Sequence, residues 1–377
     1  MTEAHFNYAG AGITSPAVDR AVRDYLDLER ELGPYEAEAR AGDAVVEAAR
    51  AAVGGLLGCP PSAVALFDNA TRAWGTLVGA LPLRTGDAVW VSPYDYVGNV
   101  FLLSTLAKRL GITVTPIPLT DGGDLDLDWV SRSLTDDVAL VSVSHVPSCC
   151  GVVSDVAGLG ERLRGSRAFY VVDGCQAVGN VAIDVAAIGA DVYTGAGRKF
   201  LAGPRGTGFA ALSRRYLSTA VPLLQDVHAF VVGPDGAAEA WVREARDLEL
   251  AERSIATLAG LRVAIDEHVA GRDESMPRRE RLLARLEAGV AALPGVRRLG
   301  DASVRSGICS LILDRPCRPV YERLLSRGVH AWVGTGWHTP LFAPQAGADE
   351  FLRLSIGAGT TEAEVDFVLA ALAEATR

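Results

Sequence analysis

Lysine is almost missing from this chain. Of 36 lysines and arginines in 377 residues, only Lys108 and Lys199 are lysine. Arginine can carry surface charge but not serve as an amine nucleophile, because its guanidinium stays protonated. Any amine chemistry therefore falls to two side chains. Positive charge is short overall, with a formal net charge of -10, which argues against a general nucleic-acid binder. No stretch reaches the roughly 18 apolar residues of a membrane span. The opening "MTEAHFNYAGAG" lacks a basic run followed by an apolar segment, so a cytoplasmic protein without membrane partners is expected. Six cysteines in so long a chain do not make a disulfide framework, and the adjacent Cys149 and Cys150 do not have CxxC spacing. Buried reduced thiols are the expectation. Six histidines form no HExxH or other short-spaced cluster, and no metal is expected.

What is present is a large core-forming chain, 49% hydrophobic and 22% charged. From about residue 64 onward, short β-branched runs alternate with helical patterns. "DAVWVSP", "ITVTPIPL", "VALVSVSHV", "AFYVVDG", "ADVYTGA" and "GTGFAAL" read as strands. "GNVFLLSTLAKRLG" and "VAGLGERLR" read as helices between them. The pattern predicts a mostly parallel sheet covered on both faces. Beyond about residue 255 come two long helical patterns, "SIATLAGLRVAIDEHVAG" and "SMPRRERLLARLEAGVAAL". A smaller α+β unit follows, with an edge segment at "FLRLSIG". The expected division is an N-terminal segment 1–17, a large domain 18–260 and a small domain 261–377. Sheets of this kind bind ligands beyond the carboxyl ends of their strands. The polar clusters "DNAT", "SPYDYVGN", "SHVPSCCG", "VDGCQ" and "TGAGRK" all fall there.

Lys108 ends an amphipathic helix closed by glycine, where a solvent-facing charge explains it. Lys199 sits in "TGAGRKFLAGPRGTG". This is no P-loop, since Arg198 precedes the lysine and Phe200 follows it, and the glycines lead into a strand rather than opening a helix. They permit tight turns around Lys199 instead. By itself, Asp173 at the end of "AFYVVDG" fits a helix cap or turn as well as a site carboxylate.

The segment "VDGCQAVGNVAIDVAAIGADVYTGAGRKFLAGPRGTGF" resembles the central signature of class V aminotransferase-fold enzymes. These are pyridoxal 5′-phosphate (PLP) proteins that include cysteine desulfurases, isopenicillin N epimerases and cysteine-conjugate C–S lyases. The resemblance extends to "FNYAGAG", "DNATRAW", "SHVPSCCGVV", "REARDLELAERS" and "LRLSIGAGTTEAEVD". It implies the fold-type I architecture, α/β with a smaller α+β domain, and a homodimer. It also implies that Lys199 carries the cofactor as an internal aldimine and moves the Cα proton. Asp173 would pair with the pyridine nitrogen and Gln176 would donate to the phenolic oxygen. Ala70 and Thr71 would hold the phosphate at a helix start, with Arg198 adding a contact and Ser254 reaching the phosphate in a partner subunit. Tyr96 would stack on the ring, and Ser148 stands where desulfurases often place asparagine. Arg353 would bind the substrate carboxylate.

The reaction is less determined. Desulfurases use a mobile-loop cysteine, whereas the comparable "HAWVGTGWHTPLF" offers Trp337, His338 and Thr339 but no thiol. Trp337 and His338 are candidate substrate contacts. A PLP-dependent lyase that β-eliminates a cysteine S-conjugate is the leading expectation. Epimerisation or transamination comes next, then desulfuration, with Cys149 or Cys150 as an unusual thiol. Oxidative decarboxylation or deamination with O₂ and a degenerate, non-catalytic PLP-fold protein are the remaining alternatives.

Overall fold

The structure, a computed structural model, describes residues 3–227, 229–235, 238–240, 242, 244–300, 304–347 and 349–377. Arg243, in the family-like "REARDLELAERS", lies outside them.

Seven strands form the central sheet: β1 (Val64–Phe67), β2 (Ala88–Val91), β3 (Thr113–Pro116), β4 (Val138–Ser144), β5 (Phe169–Asp173), β6 (Val192–Ala196) and β7 (Gly208–Leu212). Their order is β1-β7-β6-β5-β4-β2-β3. Only β7 runs against the others, so the two pairings it makes are antiparallel and the remaining four are parallel. Both faces are buried, and β5 shows why its sequence is continuously apolar. Tyr170 and Val172 join one core cluster, while Phe169 and Val171 join the cluster on the opposite face. A parallel strand packed on two sides needs apolar residues at both phases of the pleat.

Helix α1 (Pro16–Leu32) and α2 (Asp43–Leu57) precede the sheet; α3 (Ala70–Gly79), α4 (Val97–Leu110), α5 (Leu127–Ser133) and α6 (Val156–Leu163) connect its strands. Several starts carry the side-chain caps that free helix amides require. Ser15 caps α1, Asn69 caps α3, Asp126 caps α5 and Asp155 caps α6.

The expected pair of helices after residue 255 is instead one 37-residue helix, α7 (Ile255–Ala291), with Pro277 inside it. Gly271 and Pro277 read locally as a break. Packing along both halves overrides them: Leu258, Leu261 and Ile265 enter the large core, and Leu282, Leu286 and Val290 enter the small one. Residue 260, the expected boundary, falls inside α7.

The small sheet contains β8 (Val296–Arg298), β9 (Ile308–Leu313), β10 (Trp332–Thr335) and β11 (Glu350–Ser355), ordered β8-β9-β11-β10 and all antiparallel. Helices α8 (Cys317–Ser326) and α9 (Glu362–Ala375) cover it. The "FLRLSIG" strand is therefore not an edge. β10 flanks it, a four-residue strand hidden in sequence by Gly334 and the turn after it. The N-terminal segment pairs Ala4–His5 with Val329–His330 and then crosses to the large domain, where Gly12 N donates to Arg198 O at 2.8 Å. Among the described residues no helix is long and apolar enough to cross a membrane.

Candidate active site

The carboxyl ends of β1, β4, β5 and β6 open into one cavity of about 340 Å³, closed from the far side by β10 and β11. Its wall includes Ala70, Thr71, Tyr96, Ser148, Asp173, Gln176, Arg198, Lys199, His338 and Arg353, ten of the twelve residues singled out from sequence. The other two stand apart from that wall. Ser254 caps α7 through Thr257 N at 3.4 Å and borders a smaller adjoining cavity. Trp337 is 60% exposed and touches His338 from outside.

Lys199 follows β6 on the loop whose amides close back through Gly203 N to Gly197 O at 2.9 Å. Its side chain is half-buried and faces the cavity. Burial pushes its amine below the ordinary lysine value, and Arg198 and Arg353 add to that; Cys175 and Asp173 oppose it. The neutral amine, which can act as nucleophile or base, is thereby favoured.

Asp173, the last residue of β5, is 8% exposed. It accepts from Asn99 Nδ2 at 2.9 Å and from the amide of Cys175 at 3.0 Å. Neither neighbour is a cation. Below it, His145 Nδ1 lies 2.8 Å from the Tyr193 hydroxyl. Burial lowers the His145 pKa to about 4, so this ring is a neutral support. Gln176 Nε2 donates to Ala9 O at 3.0 Å, which leaves its second hydrogen, and Oε1 is buried without a partner.

Asn69 Oδ1 takes the Arg72 amide at 2.9 Å. Ala70 and Thr71 line the cavity from the first turn of α3, where amides have no intrahelical acceptor. Arg198 donates to Gly10 O from the same wall. Tyr96 begins α4, and Gly98 makes room for its ring: a Cβ at residue 98 would lie 2.9 Å from Tyr96 Cε1.

Arg353, at the centre of the small sheet, is 4% exposed and has no carboxylate partner among the described residues. Nη1 donates to Ser148 O at 2.9 Å, Nη2 to Asn7 Oδ1 at 3.3 Å, and Nε is unpartnered. The guanidinium lies 4.3 Å over the ring of Trp332, its cross-strand neighbour. Burial lowers its pKa to about 9. A buried cation so poorly matched is a ready receptor for an anion.

Sequence reasoning missed Trp332 and Asn99, both on the wall. Asn99 had a signal: it lies three residues after Tyr96, on the same helical face. Trp332 had only its place in a run too short to read as a strand.

The sequence matches the family model "Aminotransferase class-V" over residues 5–368. It is 30% identical over 332 residues to a protein named "Probable cysteine desulfurase" from Xylella fastidiosa strain 9a5c, covering 86% of this chain and 79% of that one. It is 32% identical over 267 residues to a "Probable hercynylcysteine sulfoxide lyase" of Mycobacterium tuberculosis, covering 71% and 63%. In fold it is similar to the apo cysteine desulfurase of Thermococcus onnurineus NA1, with a TM-score of 0.89 at 22% identity over 99% of this chain and 94% of that one. The chain belongs to the class V aminotransferase family, with a fold-type I PLP architecture. It is a PLP-dependent enzyme of the kind that includes desulfurases and C–S lyases.

The residues present fit that cofactor. An uncompensated carboxylate at Asp173 suits a protonated ring nitrogen, free amides at Ala70 and Thr71 suit a phosphate, and Lys199 supplies the amine between them. Bound there, PLP would supply an electron sink for charge developing at a substrate α-carbon.

Proposed function

We propose that this enzyme cleaves the Cβ–S bond of a cysteine S-conjugate by β-elimination. The overall change is R–S–CH₂–CH(NH₃⁺)–CO₂⁻ plus water giving R–SH, pyruvate and ammonium. Arg353 holds the substrate carboxylate. Lys199 takes the Cα proton, helped by the burial that lowers its pKa, and the sulfur leaves from Cβ. Asp173, held by Asn99 Nδ2 and the Cys175 amide, would face the ring nitrogen.

The arrangement of cysteines carries the choice of a lyase over a sulfur transferase. Cys149, Cys150, Cys309 and Cys317 are buried off the cavity wall, and Cys59 is also off it. Cys175 alone reaches the wall, and burial, with Asp173 beside it, pushes its thiol well above the ordinary range. A persulfide carrier needs a thiolate that can meet substrate sulfur. The name of the M. tuberculosis relative supports the same C–S chemistry. The X. fastidiosa name favours sulfur transfer, which would require Cys175 to ionise.

The test offers the PLP-loaded protein L-cysteine and several cysteine S-conjugates. Equal amounts of pyruvate, ammonia and released thiol are expected from a conjugate. Alanine together with a protein-bound persulfide would overturn the proposal in favour of desulfuration.

We also propose a homodimer in the cytoplasm. Val221, Leu223 and Val227 are 66%, 84% and 62% exposed on one segment beside the smaller cavity, a patch a second subunit would cover. Sedimentation at micromolar concentration checks this, and a monomer would refute it.

A further inference from the structure

Four aromatic side chains run outward from the substrate-carboxylate anchor. Trp332 lies under the Arg353 guanidinium. His338 meets the Trp332 ring at 4.8 Å and 78°. Trp337 meets His338 at 5.1 Å and 83°, and Phe101 meets Trp337 at 6.2 Å and 63°. Each is an edge-type contact within the range where ring quadrupoles attract. The first two rings belong to the cavity wall; the last two reach solvent, 60% and 51% exposed. Single exposed apolar residues are ordinary, but rings that touch and continue a cavity wall form a patch.

The patch is built in advance of any ligand. Gly334 leaves space for the Trp332 ring, since a Cβ there would lie 2.6 Å from Trp332 Cζ3. His338 Nδ1 accepts from the Thr335 amide at 3.2 Å, which fixes the short turn Gly336–His338. With carboxylate at Arg353 and reacting carbon at Lys199, the one substituent of the amino acid left to place is its sulfur-bearing side chain. The wall that continues outward from Arg353 is this aromatic one.

We infer that Trp332, His338, Trp337 and Phe101 form a subsite for a flat aromatic group carried on the substrate sulfur. The inference rests on the C–S lyase reading. An aliphatic wall would accept any bulky substituent, whereas presented ring faces and edges select a π-system over a saturated group of equal size.

The probes are S-benzyl-L-cysteine and S-(cyclohexylmethyl)-L-cysteine, which share a carbon count and differ in aromaticity. Elimination from the first, with water, yields phenylmethanethiol, pyruvate and ammonium. Holoenzyme is assayed for kcat/KM by pyruvate release and for Kd by the change in cofactor absorbance. The wild type should favour the benzyl compound by about tenfold. Trp337→Ala and Phe101→Ala should each move that ratio toward one, and Trp337→Phe should restore most of it. A wild-type ratio near one, or a ratio untouched by Trp337→Ala, overturns the subsite. So does a change in sedimentation with the ratio intact, because the rings would then be a subunit contact. If no pyruvate forms but benzyl binding stays tighter and dependent on Trp337, the lyase reading falls and the subsite stands. If neither appears, both fall.

Discussion

Replacing Arg353 by methionine separates what this residue does for the fold from what it does for substrate. Burial pushes its pKa down from the ordinary arginine value to about 9, a preference against the charged form of roughly 5 kcal/mol. The Trp332 face and the bonds to Ser148 O and Asn7 Oδ1 offset part of this. Methionine keeps the length and packing while removing the charge, so the substrate-free variant should melt no lower than the wild type and gain about 1–2 kcal/mol of stability. Binding moves the other way. Losing one partner of a buried, hydrogen-bonded charge pair costs about 3 kcal/mol, a factor of roughly 150 in kcat/KM. The assay pairs S-benzyl-L-cysteine with S-benzylcysteamine, which lacks the carboxylate, and follows cofactor-absorbance Kd beside melting. Wild type should bind the amine more weakly by that factor, and the variant should hardly distinguish the two. A variant that melts markedly lower, or still discriminates by carboxylate, would refute the assignment and make Arg353 a structural cation.

Lys199→Ala should abolish the borohydride-reducible bond between protein and cofactor and all elimination, while Lys199→Arg restores neither; mass spectrometry of the reduced protein checks it. His145, whose pKa is depressed to about 4 from 6.5, binds its proton more readily when unfolded. Its contribution is complete above pH 6.5 and is lost as pH falls toward 4. Urea denaturation should therefore show wild type losing about 2 kcal/mol more than His145→Gln between pH 7 and pH 5, and equal losses would assign acid sensitivity elsewhere.

The part of the site legible in sequence depends on chemistry that few residues can perform. Lys199 stood out because almost no other amine exists, whereas Asp173, a carboxylate closing an apolar strand, fitted a cap or turn equally well until the family resemblance gave it a role. Tyr96, Ala70 and Thr71 lie where strands give way to helices, the position at which such sheets bind ligands. What escaped depends on contacts between distant segments. Asn99 meets Asp173 across 74 residues. Trp332 matters because β10 pairs with β11 and sets it opposite Arg353, and a four-residue strand broken by Gly334 carries no period to announce that pairing. The same hidden strand made β11 read as an edge. Pro277 misled for the opposite reason: a strong local signal was overruled by the two cores that share α7.

Taken together, the buried charges describe a site arranged for molecules it must receive rather than for its own stability. Among the described residues Arg353 has no carboxylate partner, and burial, with two arginines near it, pushes Lys199 below the ordinary lysine value. Asp95 is wholly buried behind Asp173, bonded by Ser142 Oγ at 2.8 Å and Ser144 Oγ at 3.0 Å, and burial followed by repulsion from Asp173 lifts it to about 7. Two adjacent carboxyls do not readily share a low-dielectric site as anions. Asp173 itself accepts from Asn99 and the Cys175 amide. A cationic ring nitrogen at Asp173 and an anionic carboxylate at Arg353 would each complete a charge the protein leaves uncompensated. The expense of holding those charges apart is also what makes binding at the two ends selective, since a neutral ligand relieves neither.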